Sequence, residues 1–517
     1  MARDTRPQGA PCATVRSNNT ILMAVDAYTA ATILSHRRAG VLLHPTSLPG
    51  AQSHGIIGHD AFRFVEFLGH AGMTIWQTLP LGPTHSDGSP YQALSAHACD
   101  PAFISLDWLK DRKLVNEVPV SPSPAEQRAT LQSAYRSFVQ GAERATFEKF
   151  CMQHAYWLDD YSLFMTVRGC HQDQAWMMWD KPLRDRLPRA LETFRKAHGD
   201  EIEYQKFLQF IVFTQWQQLK SYAHEHGVLL FGDIPIYVAL DSADVWANRE
   251  LFLLDNQGWP TYVAGVPPDY FSETGQRWGN PLYQWSVMQE HGFHWWQQRM
   301  RTQYELFDLV RIDHFRGLVA YWEIPAEEET AINGQWRHAP GRELLTALRE
   351  AHGDLPLVAE DLGTITEDVY ALRNSFDIPG MKILQFAFDG DSANLYLPHN
   401  HETNCLVYTG THDNDTTLSW FKQLDKGTRS YVSDYLGLPR CDMPWSLNRA
   451  ALASVANLAI LPMQDILGLG KGHRMNTPGT NEGNWQWRFE WHQIHDSLAQ
   501  DLRKLNRLYG RCRIYQD

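Results

Sequence analysis

Four acidic residues, each following a short apolar run, are the strongest candidates for chemistry. They are Asp233, Asp313, Glu360 and Asp413, in the segments FGDIP, VRIDHF, VAEDLG and TGTHDN. Carboxyl groups that leave water together raise one another's pKa values, so one can keep its proton at neutral pH while another is ionised. Such a pair is what a retaining glycoside mechanism requires, namely a nucleophile and an acid that later acts as the base.

The neighbours of these acids suggest how the roles divide. Arg311 stands two residues before Asp313, and residues i and i+2 of a strand share a face, so the guanidinium can keep Asp313 ionised as a nucleophile. No cation precedes Glu360 in the same way, so its pKa is free to rise as a general acid requires. His412 and Asp413 can bind sugar hydroxyls. Taken singly, each acid could instead cap a helix, and Mg²⁺ binding is the rival chemistry, although no HxH, HExxH or Cys/His cluster accompanies the acids.

The elements that position these acids are short apolar runs, separated by segments with helical spacing. Runs of about four to eight apolar residues are typical of strands buried on both faces. Eight such runs alternating with helices favour a (β/α)8 TIM barrel, α/β in class, whose catalytic residues lie at the C-terminal ends of its strands. The runs are residues 41–44, 74–79, 228–231, 307–312, 356–359, 381–386, 406–409 and 458–461.

The chain is longer than a bare barrel. With 517 residues it suggests about three domains at roughly 150 residues each. The surplus lies between residues 79 and 228 and between 231 and 307, so we predict one catalytic barrel over 39–517 with inserted, mainly helical subdomains. The main insertion spans about 95–203, and an active-site loop region spans about 240–300. Residues 1–38 read as a flexible or loosely helical N-terminal extension, with organelle targeting as the alternative.

Composition excludes several classes of function. The chain has 46 Lys and Arg against 59 Asp and Glu, a net charge of −13, so we expect no nucleic-acid partner and no membrane partner. No window approaches the roughly 18 apolar residues of a membrane helix.

Seven scattered cysteines without CxxC spacing indicate reduced thiols and a cytoplasmic protein. Aromatic residues make up 12% of the chain, which suits sugar stacking, although most are expected in the core. No oligomeric state is predicted.

From about residue 39 to the C-terminus, ordered motifs resemble the amylomaltase family of 4-α-glucanotransferases, also called disproportionating enzymes. The motifs are AGVLLHPTSLPG, LPLGPT, SPYQ, FGDIPIYV, GVPPDYFS, GQRWGNPLY, VRIDHFRG, VAEDLG, THDN and RMNTPG. The resemblance implies a two-step exchange in which Asp313 is the nucleophile, Glu360 the acid/base and Asp413 the transition-state stabiliser. It also implies a set of sugar-binding residues: Tyr91, Asp233, Asp269, Gln276, Trp278, Arg311, His412 and Asn476.

The resemblance implies maltooligosaccharides, glycogen or starch as substrates, glucose as an acceptor, and no metal or organic cofactor. An α-glucan hydrolase using the same carboxylates is one alternative, and a non-catalytic glucan-binding protein is another. Some positions depart from the family pattern: His97, Cys99 and Asp100 stand where Phe, Gly and Asn are commoner, and His85 and Arg277 also differ. These departures bear on donor length preference and not on the type of reaction.

Overall fold

The computed structural model describes residues 30–141, 143–268, 272–437, 442–480 and 482–512. Twelve strands lie within these residues: β1 (Arg38–Leu42), β2 (Ile75–Gln77), β3 (Leu229–Pro235), β4 (Tyr262–Val266), β5 (Gln276–Pro281), β6 (Leu309–Asp313), β7 (Ala320–Pro325), β8 (Gln335–His338), β9 (Leu357–Ala359), β10 (Gly380–Ile383), β11 (Cys405–Tyr408) and β12 (Leu458–Pro462).

The helices of the described residues are α1 (Ala30–Ser35), α2 (His59–Ala71), α3 (Leu106–Asp111), α4 (Pro124–Val139), α5 (Arg144–Cys170), α6 (Lys181–Arg184), α7 (Pro188–Ala197), α8 (Gly199–Glu225), α9 (Ala243–Ala247), α10 (Trp285–Glu290), α11 (His294–Leu306), α12 (Gly341–His352), α13 (Glu367–Ser375), α14 (Thr417–Gln423), α15 (Lys426–Tyr435), α16 (Trp445–Ala453), α17 (Met463–Ile466) and α18 (Leu498–Leu508). None of them is long and apolar enough to cross a membrane.

Eight of the strands form a parallel barrel. Their order is β10-β11-β12-β1-β2-β3-β6-β9, and the ring closes where the Ala359 N–H donates to the Pro379 carbonyl at 2.9 Å. Every barrel strand overlaps one of the eight predicted runs, so the (β/α)8 prediction is confirmed. The strands are buried on both faces, as their continuous apolar sequences require.

Helices fill the long connection between β2 and β3. α4 begins at Pro124 behind a capping box, in which the Ser123 hydroxyl accepts from the Glu126 N–H and the Glu126 carboxylate accepts from the Ser123 N–H. α8 buries the apolar face that the helical spacing predicts, including Phe207 and Ile211, and leads into β3. The subdomain boundaries at about 95 and 203 stay a prediction.

A second, four-stranded antiparallel sheet follows β3 in the order β5-β4-β7-β8. Two of its strands lie in the predicted loop region of about 240–300, and the sequence pattern does not predict them. At Gly265 a Cβ would come within 2.2 Å of the Gln276 carbonyl, so the close β4–β5 approach needs glycine there. Residues 1–29 of the predicted N-terminal extension lie outside the described residues, and β1 begins at Arg38.

Candidate active site

Arg311 links two of the predicted acids at the C-terminal ends of β3 and β6. The strand register pairs Asp233 with Arg311 and Pro235 with Asp313. The Arg311 Nη1 donates to both Asp233 oxygens at 2.8 and 2.7 Å, and its Nη2 donates to Asp313 Oδ1 at 2.7 Å. Burial disfavours the charged form of Arg311, but the attraction of Asp233 and Asp313 outweighs this effect and raises the pKa of Arg311. A permanent cation therefore faces both carboxylates.

Asp233 lies at the base of this cluster, with 1% of its surface exposed. Burial raises its pKa above the ordinary value, and Arg311 acts in the opposite direction. The Tyr91 hydroxyl donates to Asp233 Oδ2 at 2.7 Å. The Tyr91 ring in turn stacks on His412, with centroids 5.3 Å apart and planes 18° from parallel. Asp233 thus holds both Arg311 and Tyr91 in place through hydrogen bonds to its carboxylate.

Glu360 follows β9, directly across the ladder from Asp313. Ile312 pairs with Ala359, and the Glu360 N–H donates to the Ile312 carbonyl at 3.0 Å. Its Oε2 accepts from the His314 N–H at 2.7 Å and its Oε1 from the Leu362 N–H at 3.0 Å. Burial and then the Asp313 charge raise the pKa of Glu360 to about 8, against the opposing effect of Arg311. Glu360 therefore holds a proton at neutral pH.

Asp413 lies beyond the end of β11 and is half-exposed. The Asn476 side-chain amide donates to Asp413 Oδ1 at 2.6 Å, and His412 Nε2 stands 3.4 Å from the same oxygen. Arg474 donates to the Asp413 backbone carbonyl, and the Asn476 N–H donates to the His412 carbonyl at 3.1 Å. The segment that carries Arg474 and Asn476 therefore holds His412 and Asp413 in place.

The second sheet contributes Gln276 and Trp278 from β5. The Trp278 indole N–H donates to Gln276 Oε1 at 3.1 Å. The Trp278 ring meets His314 edge to face at 4.8 Å, beside the residue that donates to Glu360. The predicted site residue Asp269 lies outside the described residues. The other predicted residues are connected through these contacts into one cluster at the barrel mouth.

Three residues of the cluster were not singled out from sequence. His314 and Trp485 both have left-handed backbones, with φ of 53° and 64°. A non-glycine residue pays about 1–3 kcal/mol for this conformation, which recurs at functional sites. Trp485 packs against Tyr91 at 6.1 Å and His412 at 5.9 Å. His44 follows β1, and burial lowers its pKa to about 3, with His412 the second cause. Adjacency to Asp313 was the available signal for His314, whereas no sequence pattern marks the φ of Trp485.

Two carboxyl groups with different partners give the site its chemical capacity. Asp313 accepts from Arg311, while Glu360 is buried and protonated. The pair can supply a nucleophile and a proton donor on neighbouring strands. Within the described part of the chain, no group of three or more His, Cys, Asp or Glu residues could hold a metal ion.

Comparison with known proteins identifies the family. A family model described as 4-alpha-glucanotransferase matches residues 43–494. The chain belongs to the 4-alpha-glucanotransferase family. The resemblance seen in the sequence motifs is thereby confirmed, and the protein is a glycosyltransferase of the amylomaltase type.

Relatives of this glucanotransferase match along nearly their whole length. The 4-alpha-glucanotransferase of Synechocystis sp. is 48% identical over 504 residues, which cover 93% of this chain and 99% of the relative. That of Thermus thermophilus is 48% identical, with 87% and 94% covered. Among solved structures, the amylomaltase from Streptococcus agalactiae in complex with acarbose superposes with a TM-score of 0.88 at 36% identity, covering 92% of this chain and all of that one.

Proposed function

We propose that this glucanotransferase moves an α-1,4-glucan segment by a retaining, two-step mechanism that uses Asp313, Glu360 and Asp413. The observation that carries the proposal is the placement of Asp313 at the end of β6 and of Glu360 directly after the neighbouring strand β9, with Asp313 bound by Arg311 and Glu360 buried, its pKa raised to about 8. Neighbouring strands lie about 4.8 Å apart. Retaining glycosidases hold their two carboxyl groups about 5–5.5 Å apart, so strands at this spacing suit a direct attack by one of them.

In the first step the Asp313 carboxylate attacks C1 of a glucose unit in the donor. The bond between C1 and the glycosidic O4 breaks, and the Glu360 proton passes to O4 of the departing segment. Charge that develops on the reacting ring is stabilised by Asp413, which Asn476 and His412 hold in place. The product is a covalent glucosyl ester on Asp313, with Glu360 left ionised.

In the second step the 4-hydroxyl of an acceptor attacks C1 of the ester. Glu360, now the base, takes the hydroxyl proton, and the bond between C1 and the Asp313 oxygen breaks. The two displacements at C1 restore the α-linkage and return both carboxyl groups to their starting states. Water in place of the acceptor would give hydrolysis by the same route, so the two activities differ only in what reaches the ester.

We assign sugar contacts to the residues around these acids. Tyr91 and Trp278 offer aromatic faces at the cluster, and Gln276, His412 and Asn476 offer hydrogen-bonding groups. Arg311 and Asp233 set the charge beneath the reacting ring, and Asp269 is assigned on the sequence motif alone.

We propose maltooligosaccharides, glycogen or starch as donors and glucose or another glucan as acceptor. This proposal rests on the family and on the neutral polar and aromatic side chains beside the acids, such as Tyr91, Trp278 and Gln276, which suit the hydroxyls and rings of an uncharged sugar. A reducing, cytoplasmic location fits the free thiols of Cys99, Cys151, Cys170 and Cys405.

Incubation with maltotriose alone tests the proposed transfer. We expect glucose together with a ladder of longer maltooligosaccharides, separated by chromatography. Glucose and maltose without longer products would instead identify a hydrolase.

Replacement of Asp313 by Ala separates catalysis from binding. We expect Asp313→Ala to lose turnover by at least about 10⁴-fold, because no ester can form, while maltotriose still binds in calorimetry. Unchanged turnover would contradict the nucleophile assignment. Absence of turnover in the unaltered protein, with binding intact, would favour the non-catalytic alternative.

A further inference from the structure

The barrel has one weak seam, between β9 and β10. The other neighbouring barrel strands are joined by ladders, whereas across the described residues β9 and β10 share the single backbone hydrogen bond from Ala359 to Pro379. Glu360 directly follows β9 and therefore extends from the edge of this seam. On the β6 side the Glu360 backbone is held, since its N–H donates to the Ile312 carbonyl and its carbonyl accepts from the Phe315 N–H, both at 3.0 Å. The β10 side offers only the Ala359 bond, whereas an acid/base group needs a position fixed to well under 1 Å, which requires support on both sides.

A side chain replaces the missing ladder bond. Asp361 Oδ1 accepts from the Met381 N–H of β10 at 2.7 Å, and its Oδ2 accepts from Arg373 Nη1 of α13 at 2.5 Å. Asp361 and Arg373 are both buried, with side chains 1% and 6% exposed. One carboxylate thus ties the end of β9 to the next strand and to the helix between them.

The approach of these groups is close enough to require glycine at residue 380. A Cβ there would lie 2.0 Å from Arg373 Nη1 and 2.3 Å from Asp361 Oδ2. No side chain fits at that distance, so Gly380 allows the ion pair to sit directly against the β10 backbone. The buried pair is neutral overall, which limits its direct electrostatic effect on the neighbouring acids.

We infer that Asp361 and Arg373 are positioning residues for the acid/base Glu360. Asp361 lies between Glu360 and Leu362 in the chain, and the Leu362 N–H donates to Glu360 Oε1. Anchoring Asp361 across the seam therefore adds support on the β10 side to the backbone that carries the Glu360 carboxyl group, and it fixes one of the two donors that orient this group. This inference rests on the proposed role of Glu360.

The test compares donors that differ in their need for a general acid. Maltotriose requires protonation of its leaving oxygen, whereas α-maltotriosyl fluoride releases fluoride with little help from an acid. For Asp361→Asn and Arg373→Lys we expect kcat/KM to fall about 10²-fold with maltotriose and less than about threefold with the fluoride. A purely structural loss would lower both values by the same factor.

Asp308→Asn is the matched control. Asp308 also ties two barrel strands through a carboxylate, since it precedes β6 and its Oδ2 accepts from the Leu230 N–H of β3 at 2.8 Å. It is paired with His224 and Lys220, but it lies at the opposite end of the barrel. We expect this variant to lose stability with no change in the ratio of the two kcat/KM values.

Glu360→Gln completes the set. It should lose turnover of maltotriose while it retains kcat/KM for the fluoride, which reports the first step. Because the second step needs Glu360 as the base, fluoride is expected to appear as a burst of about one equivalent per active site followed by slow turnover. If Glu360→Gln shows this selectivity and the variants of Asp361 and Arg373 lose both activities equally, the positioning role is overturned and the acid/base assignment stands. If Glu360→Gln itself shows no selectivity, the proposed function fails and the inference fails with it. Arg373→Lys keeps the buried charge, so it provides the test if Asp361→Asn does not fold.

Discussion

Replacing Glu360 by Gln is predicted to stabilise the protein at alkaline pH. Burial and the Asp313 charge raise the pKa of Glu360 from 4.5 to about 8. One pKa unit corresponds to about 1.4 kcal/mol, so full ionisation of the folded protein at this site costs about 5 kcal/mol. A glutamine carries no charge and avoids this cost. Its NH2 group faces one of the two backbone N–H donors of His314 and Leu362, but that penalty is the same at every pH, so the pH-dependent part of the difference reports the ionisation of Glu360.

The sign of the effect follows from proton binding. Between pH 4.5 and about pH 8 the folded protein keeps the Glu360 proton while the unfolded chain releases it. The contribution of protonated Glu360 to the free energy of unfolding is therefore complete below the pKa of Glu360 in the unfolded chain. It declines by about 1.4 kcal/mol per pH unit above that value and is lost above the pKa of Glu360 in the folded protein. The free energy of unfolding of Glu360→Gln relative to the unaltered protein should rise across this window and then level off.

Denaturant unfolding of both proteins between about pH 5 and about pH 9 measures this difference. Other titrating groups are common to the two proteins and largely cancel, so the difference reports Glu360. In parallel, kcat/KM of the unaltered protein with maltotriose should fall above about pH 8, because the acid must be protonated. A stability difference that does not change with pH would refute the raised pKa, and with it the reasoning that assigns the proton to Glu360.

Three further predictions concern the same cluster. Tyr91→Phe keeps the ring stacked on His412 but removes the hydrogen bond to the buried Asp233. We therefore expect kcat/KM with maltotriose to fall about 10- to 100-fold. An unchanged value would mean that Arg311 alone holds Asp233. Trp278→Ala should raise KM about five- to tenfold and change kcat less, since it removes an aromatic face; initial rates over a range of maltotriose concentrations will show which constant moves. Exhaustive chelation should leave activity unchanged, and a loss that added metal restores would contradict the mechanism.

The barrel was predictable because its strands are buried on both faces. Burial on both sides selects continuous apolar runs, such as Val228–Phe231 and Leu458–Leu461, which stand out in the sequence. The second sheet was not predictable by this criterion. β5 has the sequence QRWGNP and leaves Gln276 and Arg277 exposed, and β8 is exposed along its whole length. Its pairing depends on contacts with β4 and β7 that no local pattern specifies.

Within the site, contacts along one strand were predictable and contacts between strands were not. Arg311 and Asp313 share a face of β6 because the side-chain period of a strand is two, and that rule needs only the sequence. The two bonds from Arg311 to Asp233 depend on the register of β3 against β6. The donation from His314 to Glu360 depends in addition on a left-handed backbone, which the sequence does not reveal.

Register also decides which of two adjacent acids can be the acid/base. The segment VAEDLG offers Glu360 and Asp361, and successive residues at a strand end point to opposite sides. With Ile312 opposite Ala359, Glu360 stands across from Asp313, and Asp361 turns outward to Arg373. If β9 slipped by one residue against β6, Glu360 and Asp361 would exchange sides. Asp361, the partner of Arg373, would then face the nucleophile. The ion pair that fastens the seam therefore also selects the acid, because Asp361 cannot leave Arg373 without exposing a buried, unpaired charge.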